Sequence, residues 1–376
     1  MSKSFLVYTG ALVVCLAGAT AAQVSPTQRP PLAEEVFKNV QVLKGLPVDE
    51  FMGTMGFFAS SLGLNCTDCH VDESGGSWAR YADDNARKIR TRTMIVMVNT
   101  INRTNFGGRQ VVTCNTCHRG SPRPNVMVSL DALYGEPPPD EPGDPFEQTP
   151  GQPTADQILD KFIAAVGGAQ RVAALRSLVG KGTYIGFDDH DKMPMELYAE
   201  APGLKTTIIH GLLGQTTTTF DGTNAWSATP PTDKPVPLLA LTGLELDGVK
   251  VETQLLFPNR IKDLLTKWRV GAPALLGDRE VNLVQGNTAG GAVVTLCFDA
   301  ETGLLVRLVR YGDSPVGRLI TRIDYSNYRE VAGVKVPYQW TVRWLSGRST
   351  YELTDLQANV PVPAARFATP APGPPR

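Results

Sequence analysis

The sequence predicts a multidomain protein in which an all-α segment is followed by an α+β domain with a curled antiparallel sheet. The pentapeptide Cys-x-x-Cys-His occurs twice in the first 120 residues, each time after a helical pattern. A stretch at 121–153 contains nine prolines and is expected to form an extended, semi-rigid linker. Beyond it, one helical pattern precedes a series of short apolar runs separated by turns, which predicts an antiparallel sheet.

The repeated pentapeptide is the attachment signature of a c-type haem. In this chemistry the two thiols form thioethers with the haem vinyl groups, and the adjacent histidine supplies one axial ligand of the iron. The predicted thioether residues and iron ligands are Cys66, Cys69 and His70 in the first motif, and Cys114, Cys117 and His118 in the second. The predicted cofactors are therefore two covalently bound haem c groups.

Two other interpretations of Cys-x-x-Cys are weaker. A thioredoxin-like redox pair should lie in a βαβ pattern, and neither motif is flanked by one. A Cys2His2 zinc finger needs two closely spaced histidines after the cysteine pair, and neither motif is followed by such histidines.

Residues 1–22 resemble a cleaved secretory signal. A short basic start is followed by an apolar run from Phe5 to Gly18 and by the small residues Ala19–Ala22. The run is short for a membrane span. Lipidation at Cys15 is an alternative, although Val14 stands where a small residue would be expected. The predicted location is periplasmic or otherwise extracytoplasmic, with membrane association left open.

The composition excludes some classes of partner. The net charge of the 376 residues is −1 and no run of like charge stands out, which argues against a nucleic-acid partner. After the four motif cysteines and Cys15, only Cys297 remains. Its apolar surroundings predict a small buried residue in a strand, so no disulfide framework is expected.

The helices before the motifs carry methionines that could serve as the second axial ligands. The first is predicted from Pro47 to Gly63, where the glycine suits the C-terminal cap. The second is predicted from about Asp83–Asp84 to about Asn102. Met52 and Met55 lie on the first helix and Met94 and Met97 on the second. The alternative is that these methionines only pack the core.

These residues and motifs resemble the cytochrome c subunit of bacterial photosynthetic reaction centres. The resemblance covers about residues 45–122, and that family consists of helix–turn–Cys-x-x-Cys-His units, most with a helical methionine as sixth ligand. It implies Met55 as ligand of the first iron and Met94 of the second, with Met97 one turn along as the other choice. The family carries four haems, whereas this chain has two motifs. His190 and His210 are the remaining candidate ligands.

The C-terminal part, residues 154–376, is less informative. Thr154 and Gln157 form a predicted capping box, and a second helix is predicted from about Glu252 to Trp268. The segment Ile323–Pro337 resembles lipoprotein-sorting, open-barrel proteins, which implies a hydrophobic or lipid ligand. A docking sheet without a small ligand is equally open. The predicted strands are 178–187, 204–209, 216–220, 281–284, 293–298, 304–311, 319–325, 334–344 and 350–356.

The predicted domains are therefore a signal at 1–22, a dihaem cytochrome c domain at 23–120, the linker at 121–153 and the sheet domain at 154–376. The favoured function is electron transfer between redox protein partners through irons with His/Met ligation and no catalytic residue. Two alternatives are a dihaem peroxidase-like enzyme and a haem-bearing anchor or sensor for the C-terminal sheet. The acidic turn around His190, with Asp188, Asp189 and Asp191, suggests a solvated loop more than a metal site.

Overall fold

A computed structural model of the chain describes residues 29–124, 126–127, 146–186, 191–230 and 235–371. The predicted signal segment, Cys15 and His190 lie outside these residues, as does most of the proline-rich stretch. Among the described residues, no helix is long and apolar enough to cross a membrane.

The motif-bearing segment is helical, as predicted. Each Cys-x-x-Cys-His sequence follows a longer helix and itself folds as a short helical turn. The helices are α1 (Ala33–Val36), α2 (Val48–Leu62), α3 (Cys66–Cys69), α4 (Ala86–Phe106) and α5 (Cys114–His118), with 3-10 turns at Asp72–Gly76 and Trp78–Ala82.

Local chemistry sets the ends of α2 and α4. Gly63 and Gly107 cap the two C-termini in the left-handed conformation, at φ of 63° and 61°, which glycine adopts without strain. α4 begins later than predicted because Asn85, and not the preceding acidic pair, is its N-cap. The Asn85 side chain accepts a hydrogen bond from the amide of Lys88 at 2.9 Å.

The described strands between Ser177 and Ala358 form one open antiparallel sheet, which confirms the predicted order of a helical segment and then a sheet domain. In the described residues the strand order is β6-β5-β4-β3-β2-β1-β14-β13-β12-β11-β10-β9-β7, with β8 beside β9. The strands are β1 (Ser177–Ile185), β2 (Met193–Glu200), β3 (Leu204–Gly211), β4 (Gly214–Phe220), β5 (Ala225–Ala228), β6 (Leu238–Leu241), β7 (Thr266–Val270), β8 (Ala274–Leu276), β9 (Arg279–Asn287), β10 (Val293–Asp299), β11 (Leu305–Ser314), β12 (Gly317–Val331), β13 (Val334–Trp344) and β14 (Gly347–Ala358).

Three helices contribute to the main core on one face of this sheet. They are α6 (Ala155–Ala165), α7 (Ala169–Ala174) and α8 (Gly243–Leu255), with 3-10 turns at Pro258–Asp263 and Ala364–Phe367. The predicted capping box of α6 is present, since Thr154 and Gln157 bond each other reciprocally. Leu159 of α6, Val251 of α8 and Phe298 of β10 are buried in this core. Cys297 is buried in β10, 3% exposed, as predicted.

The helix predicted from Glu252 to Trp268 is wrong in its position. α8 ends at Leu255, and Pro258 follows at the start of a 3-10 turn. Proline at this point removes a helical donor and clashes with the preceding turn, so the helix cannot continue. Trp268 instead lies in β7. Five strands were missed, namely β2 and β5–β8: β2 contains a proline, and the other four have at most five residues.

The motif-bearing segment packs against the sheet through α2. We call the buried residues Leu43, Phe57, Phe58, Ile95 and Val316 the interface cluster. Val316 lies at the β11–β12 turn, and Leu319 of β12 and Leu345 of the β13–β14 turn also pack on the cluster. Close approach requires small residues here, because a Cβ built on Gly317 would lie 2.0 Å from the Phe57 ring.

A buried carboxylate joins α2 to α8. Asp49 in the first turn of α2 is 7% exposed. Its Oδ2 accepts a hydrogen bond from the Thr242 amide at 2.6 Å, and its Oδ1 accepts one from the Thr242 hydroxyl at 2.8 Å. Thr242 is the N-cap residue of α8. Burial raises the pKa of Asp49, which the hydrogen bonds from Thr242 partly oppose.

We expect Asp49→Ala to lower the free energy of unfolding by about 1–3 kcal/mol, because the Thr242 amide loses its acceptor. Asp49→Asn, the matched control, keeps the shape and an acceptor. Burial disfavours the charged carboxylate in the folded state, which is why the pKa of Asp49 is raised. The contribution of Asp49 to the free energy of unfolding therefore falls as pH rises through that pKa. Asp49→Asn should therefore gain stability relative to the native chain between about pH 4 and pH 7. Urea unfolding across this range measures both effects, and a difference that does not change with pH would contradict the assignment.

Candidate functional site

Reciprocal side-chain caps fold the first motif into a single helical turn. The side-chain oxygen Oδ1 of Asn65 accepts a hydrogen bond from the backbone amide of Asp68 at 3.0 Å. The Asp68 carboxylate in turn accepts one from the backbone amide of Asn65 at 2.9 Å. The turn places Cys66 and Cys69 on the same side, since residues three apart on a helix are neighbours. The His70 amide donates to the Cys66 carbonyl at 3.0 Å, which fixes the imidazole directly after the turn.

The second motif is built in the same way. Thr113 is its N-cap, and Thr113 and Thr116 bond each other's backbone amides at 3.4 Å and 3.0 Å. The turn runs from Cys114 to His118 and ends at Arg119, whose φ is +51°. Two sequences with different capping residues therefore both fold Cys-x-x-Cys as one helical turn, which ends before His70 in the first motif and includes His118 in the second.

Each motif histidine is oriented by one ring nitrogen. Nδ1 of His70 lies 3.1 Å from the carbonyl oxygen of Tyr81, and Nδ1 of His118 lies 2.9 Å from that of Ser121. A carbonyl oxygen can only accept, so Nδ1 carries the proton in both rings. In the neutral form of such a ring, Nε2 holds the free lone pair, which is the arrangement of a metal-ligating histidine. Burial lowers the pKa of His70, which favours the neutral ring.

The four motif cysteines form no disulfide and are exposed or half-buried. Cys66 and Cys117 are exposed, whereas burial raises the pKa of Cys69 and Cys114 and keeps both protonated at neutral pH. Thioether formation adds an S–H bond across a vinyl group, so a protonated, reachable thiol suits it. Two thiols and one imidazole with its Nδ1 bonded to a carbonyl oxygen are, in each motif, a donor set that fits haem c.

The methionines on α2 and α4 differ in exposure. Met55 and Met94 are half-buried, whereas Met52 and Met97 are 41% and 43% exposed. Met55 packs against the interface cluster, and so does Cys114 of the second motif. His210 lies in β3, where its Nε2 is 2.8 Å from the Glu196 carboxylate.

Close contact between backbones brings the two motifs together. The Gly120 amide donates to the Ser61 carbonyl at 2.9 Å, and a Cβ built on Gly63 would lie 2.3 Å from the Gly120 oxygen. Only glycine fits this contact. Cys66 lies three residues after Gly63, and His118 two residues before Gly120. The reach of the chain therefore limits the Cα separation of Cys66 and His118 to about 25 Å.

The helix α4 connects the two motifs at its two ends. At its start, the Asn85 side-chain amide donates to the Cys69 carbonyl at 2.9 Å. At its end, Asn102 donates to the Val112 carbonyl at 2.7 Å and accepts from the amides of Val111 and Val112. Sequence reasoning missed these positioning residues, although an asparagine before a helix is an N-cap signal that could have identified Asn85.

Aromatic rings extend outward from the first motif. The rings of His70 and Tyr81 are 4.7 Å apart, and those of Tyr81 and Trp78 are stacked at 5.0 Å. Trp78 lies at the protein surface. The 3-10 turn at Trp78–Ala82 therefore supplies both the carbonyl that orients His70 and a ring that packs beside it.

A second feature lies on the sheet face beneath α8. Four half-buried aromatic side chains face each other in register across β1, β14, β13 and β12, and we call them the aromatic row: Tyr184, Tyr351, Trp340 and Tyr325. Trp340 and Tyr351 are stacked at 5.0 Å. Burial raises the pKa of Tyr325 and Tyr351. Glu252 of α8 lies 3.5 Å from Lys205 and contributes to the shifts of both tyrosines.

Two cavities adjoin α8. One of about 40 Å³ lies between α8 and the sheet and is lined by residues that include Tyr325 and Tyr328. The other, of about 460 Å³, lies where α2 approaches α8, with Glu50, Asp247 and Arg318 in its lining. Within the described part of the chain, no group of three or more histidines, cysteines or acids could hold a metal ion. The acidic turn at 188–190 lies outside that part.

Comparisons with known proteins match the motif-bearing segment. Residues 15–136 match the family model described as photosynthetic reaction centre cytochrome C subunit. The chain is 40% identical over 105 residues to that subunit from Thermochromatium tepidum, covering 27% of this chain and 25% of the relative. It is 33% identical over 124 residues to the Rubrivivax gelatinosus subunit, covering 29% and 32%. These matches confirm the resemblance drawn from the motifs, over less than a third of each relative.

Solved structures match the sheet at low sequence identity. A DUF1329 family protein from Desulfovibrio piger aligns with a TM-score of 0.41 at 9% identity, covering 57% of this chain and 98% of its own. A LolA superfamily protein from Nitrosomonas europaea aligns with a TM-score of 0.40 at 14% identity, covering 58% and 98%.

Substitution of the methionines tests the axial ligands. In a Cys66→Ser/Cys69→Ser background, which should retain only the second haem, we expect Met94→Ala to remove the sulfur-to-iron charge-transfer absorption and to allow carbon monoxide binding. Met55→Ala should leave that haem unchanged, because the resemblance assigns Met55 to the first iron. In a Cys114→Ser/Cys117→Ser background the two outcomes should reverse.

The controls are Met52→Ala and Met97→Ala, which remove an exposed methionine from each of the same helices. The unsubstituted protein should not bind carbon monoxide. If Met97→Ala changes the absorption while Met94→Ala does not, the ligand lies one turn further along α4. A reversed pairing, with Met55 serving the second iron, would contradict the assignment drawn from the resemblance.

Proposed function

We propose that this protein is an extracytoplasmic c-type cytochrome that transfers electrons through two covalently bound haem c groups, each with His/Met axial ligation. The observation that carries the proposal is the hydrogen bond from Nδ1 of each motif histidine to a backbone carbonyl oxygen. In each motif this bond directs Nδ1 to the backbone and leaves Nε2 as the nitrogen available to a metal, in the same sequence as two cysteines. The similarity of residues 15–136 to reaction centre cytochrome c subunits supports the same function.

The residues of the chain bind and orient the cofactor. Haem c supplies, when bound, an iron that alternates between its ferric and ferrous states. Cys66 and Cys69 would hold one group and Cys114 and Cys117 the other. The carbonyls of Tyr81 and Ser121 hold each imidazole and strengthen it as a donor. A methionine opposite each histidine would close the coordination sphere and raise the potential.

Closed coordination favours electron transfer over enzymatic chemistry. A peroxidase-like enzyme would need an iron with an open or displaceable position, and half-buried Met55 and Met94 supply a ligand for each iron. The proposed partners are redox proteins that donate and accept electrons. We do not propose a reaction centre as a partner. The chain covers only 25% and 32% of the lengths of the two reaction centre relatives, so their partners cannot be transferred to it. The signal-like residues 1–22 support a periplasmic location.

The haem content tests this proposal directly. After expression with haem-maturation machinery, the intact mass of the full chain should exceed that of the processed polypeptide by two haems. Cys66→Ser/Cys69→Ser should remove one haem and retain the other, because each turn holds its own pair of thiols. Cys297→Ser is the matched control and should retain both. One haem or none in the unsubstituted protein would contradict the proposal.

The aromatic row favours a second role, the binding of an apolar ligand beneath α8. Rings in register over four strands offer a continuous apolar surface, and stacked aromatic rings contribute large contact areas. The cavity of about 40 Å³ is far smaller than a pocket for an organic ligand, so α8 must move to admit one. The motif-bearing segment would then serve as an anchor or sensor for this sheet.

Trp340 reports on the apolar ligand. We expect its fluorescence to change in a saturable way when a long-chain fatty acid is added, and the same titration of a Trp340→Ala variant should lack that change. Trp344→Ala is the control, because Trp344 lies at the end of the same strand and is 38% exposed. The absence of saturable change in the unsubstituted protein would reject an acyl chain as ligand.

A further inference from the structure

The second half of the motif-bearing segment has a one-sided charge distribution. Residues 85–124 contain eight arginine and lysine residues and no aspartate or glutamate. Uncharged residues separate most of these positions, so they form no continuous run. In contrast, residues 65–84, which include the first motif, contain five acidic residues and a single basic one. The two motifs therefore lie in segments of opposite charge.

Among the described residues, six of these eight basic residues are exposed and form no ion pair with an acid, and four of the six lie in the part of the chain around the second motif. We call these four the basic rim: Arg103, Arg109, Arg119 and Arg123. Of the four basic residues nearer the first motif, Arg90 is exposed, and the Arg87 guanidinium donates to the Asp68 backbone carbonyl of that motif. Lys88 and Arg92 both pair with Asp84, at 3.7 Å and 2.9 Å.

The basic rim surrounds the second motif. Arg119 directly follows His118, and Arg123 lies four residues later. Arg109 is in the loop that leads into the motif. Arg103 follows Asn102, whose side chain bonds the backbone of Val111 and Val112 just before Cys114.

Exposed apolar side chains lie near these arginines in the chain, Val111 two residues after Arg109 and Met127 four residues after Arg123. Val111 is 50% exposed and Met127 is 78% exposed. The Cys117 thiol, a predicted attachment point of the second haem, is also exposed. A small apolar patch with a polar or charged edge is the usual anatomy of a protein–protein interface. A haem attached at Cys117 would supply electron exchange on this side of the second motif.

From this arrangement we infer that the basic rim is the docking surface of an acidic redox protein, which exchanges electrons with the second haem. The inference rests on the proposed function. Unpaired like charges around one site attract a partner of opposite charge from a distance and orient it before contact. An anionic membrane is a less suitable occupant, because it would cover the exposed edge of the second motif and exclude any redox partner there.

The experiment compares two charge-matched variants of the full, haem-loaded chain. In the rim variant, Arg103, Arg109, Arg119 and Arg123 are each replaced by glutamine. In the control variant, four exposed basic residues of the C-terminal part are replaced in the same way: Arg171, Arg176, Lys181 and Lys267. Both lose the same net charge, so only the position of the charge differs. Haem content is measured first, and a protein without two haems would contradict the proposed function and not the docking surface.

The probe is a reduced plant-type [2Fe–2S] ferredoxin, a strongly acidic redox protein, with a basic single-haem cytochrome c as the comparison of opposite charge. Stopped-flow measurements give the association rate, and titration with oxidised ferredoxin gives the dissociation constant. For the unsubstituted protein we expect fast association with ferredoxin that slows steeply between about 10 mM and 200 mM salt. The rim variant should be slower by at least about tenfold at low salt, with a weaker salt dependence. The control variant should change by less than about twofold.

Equal effects of the two variants would show that only net charge matters, and would overturn the proposal. So would a faster reaction with the basic cytochrome than with the ferredoxin. Phosphatidylglycerol vesicles serve as the third probe. If they bind the protein in a way that requires the basic rim while ferredoxin does not, the surface is a membrane contact and the proposed partner is wrong.

Discussion

Each motif histidine is held by a hydrogen bond from its Nδ1 to a backbone carbonyl oxygen, that of Tyr81 for His70 and that of Ser121 for His118. This bond selects the tautomer, and the tautomer decides that Nε2 can bind a metal. The surrounding structure serves to fix the two carbonyls. Lys88 donates to the carbonyl of Tyr81 at 2.8 Å, and the Ser121 amide donates to the His118 carbonyl at 3.0 Å. Both turns depend in addition on side-chain caps, from Asn65 and Thr113.

The motif-bearing segment and the sheet meet over well-packed surfaces. The turns at β11–β12 and β13–β14 contact α2, and Gly53, Gly56 and Gly317 allow the approach, since a Cβ on any of them would lie within 3.0 Å of its neighbour. Asp49 then ties α2 to the start of α8, the helix that covers the aromatic row. Because α2 also carries Met55, a single helix links the proposed haem ligands to the proposed apolar ligand.

The sequence predicts the motifs, the two long helices and most strands, because each rests on a local signal. Cys-x-x-Cys-His indicates haem attachment by its sequence alone, and Gly63 indicates the end of α2. The misplaced helix at 252–268 shows where apolar spacing misleads, since Pro258 ends α8 and Trp268 belongs to a strand. Asn102, Tyr81 and the interface cluster were not predictable, because their roles arise from residues distant in the chain. The basic rim was not predicted, because its arginines are spaced apart along the chain and form no run of like charge.

The central claim is that both irons have one histidine and one methionine as axial ligands. Near-infrared magnetic circular dichroism of the oxidised full chain tests this most directly, because low-spin ferric haems give charge-transfer bands at energies set by their axial ligands. We predict two low-spin haems per chain, both with the band position of His/Met ligation. A high-spin signal, a His/His band or intensity for fewer than two haems would contradict it.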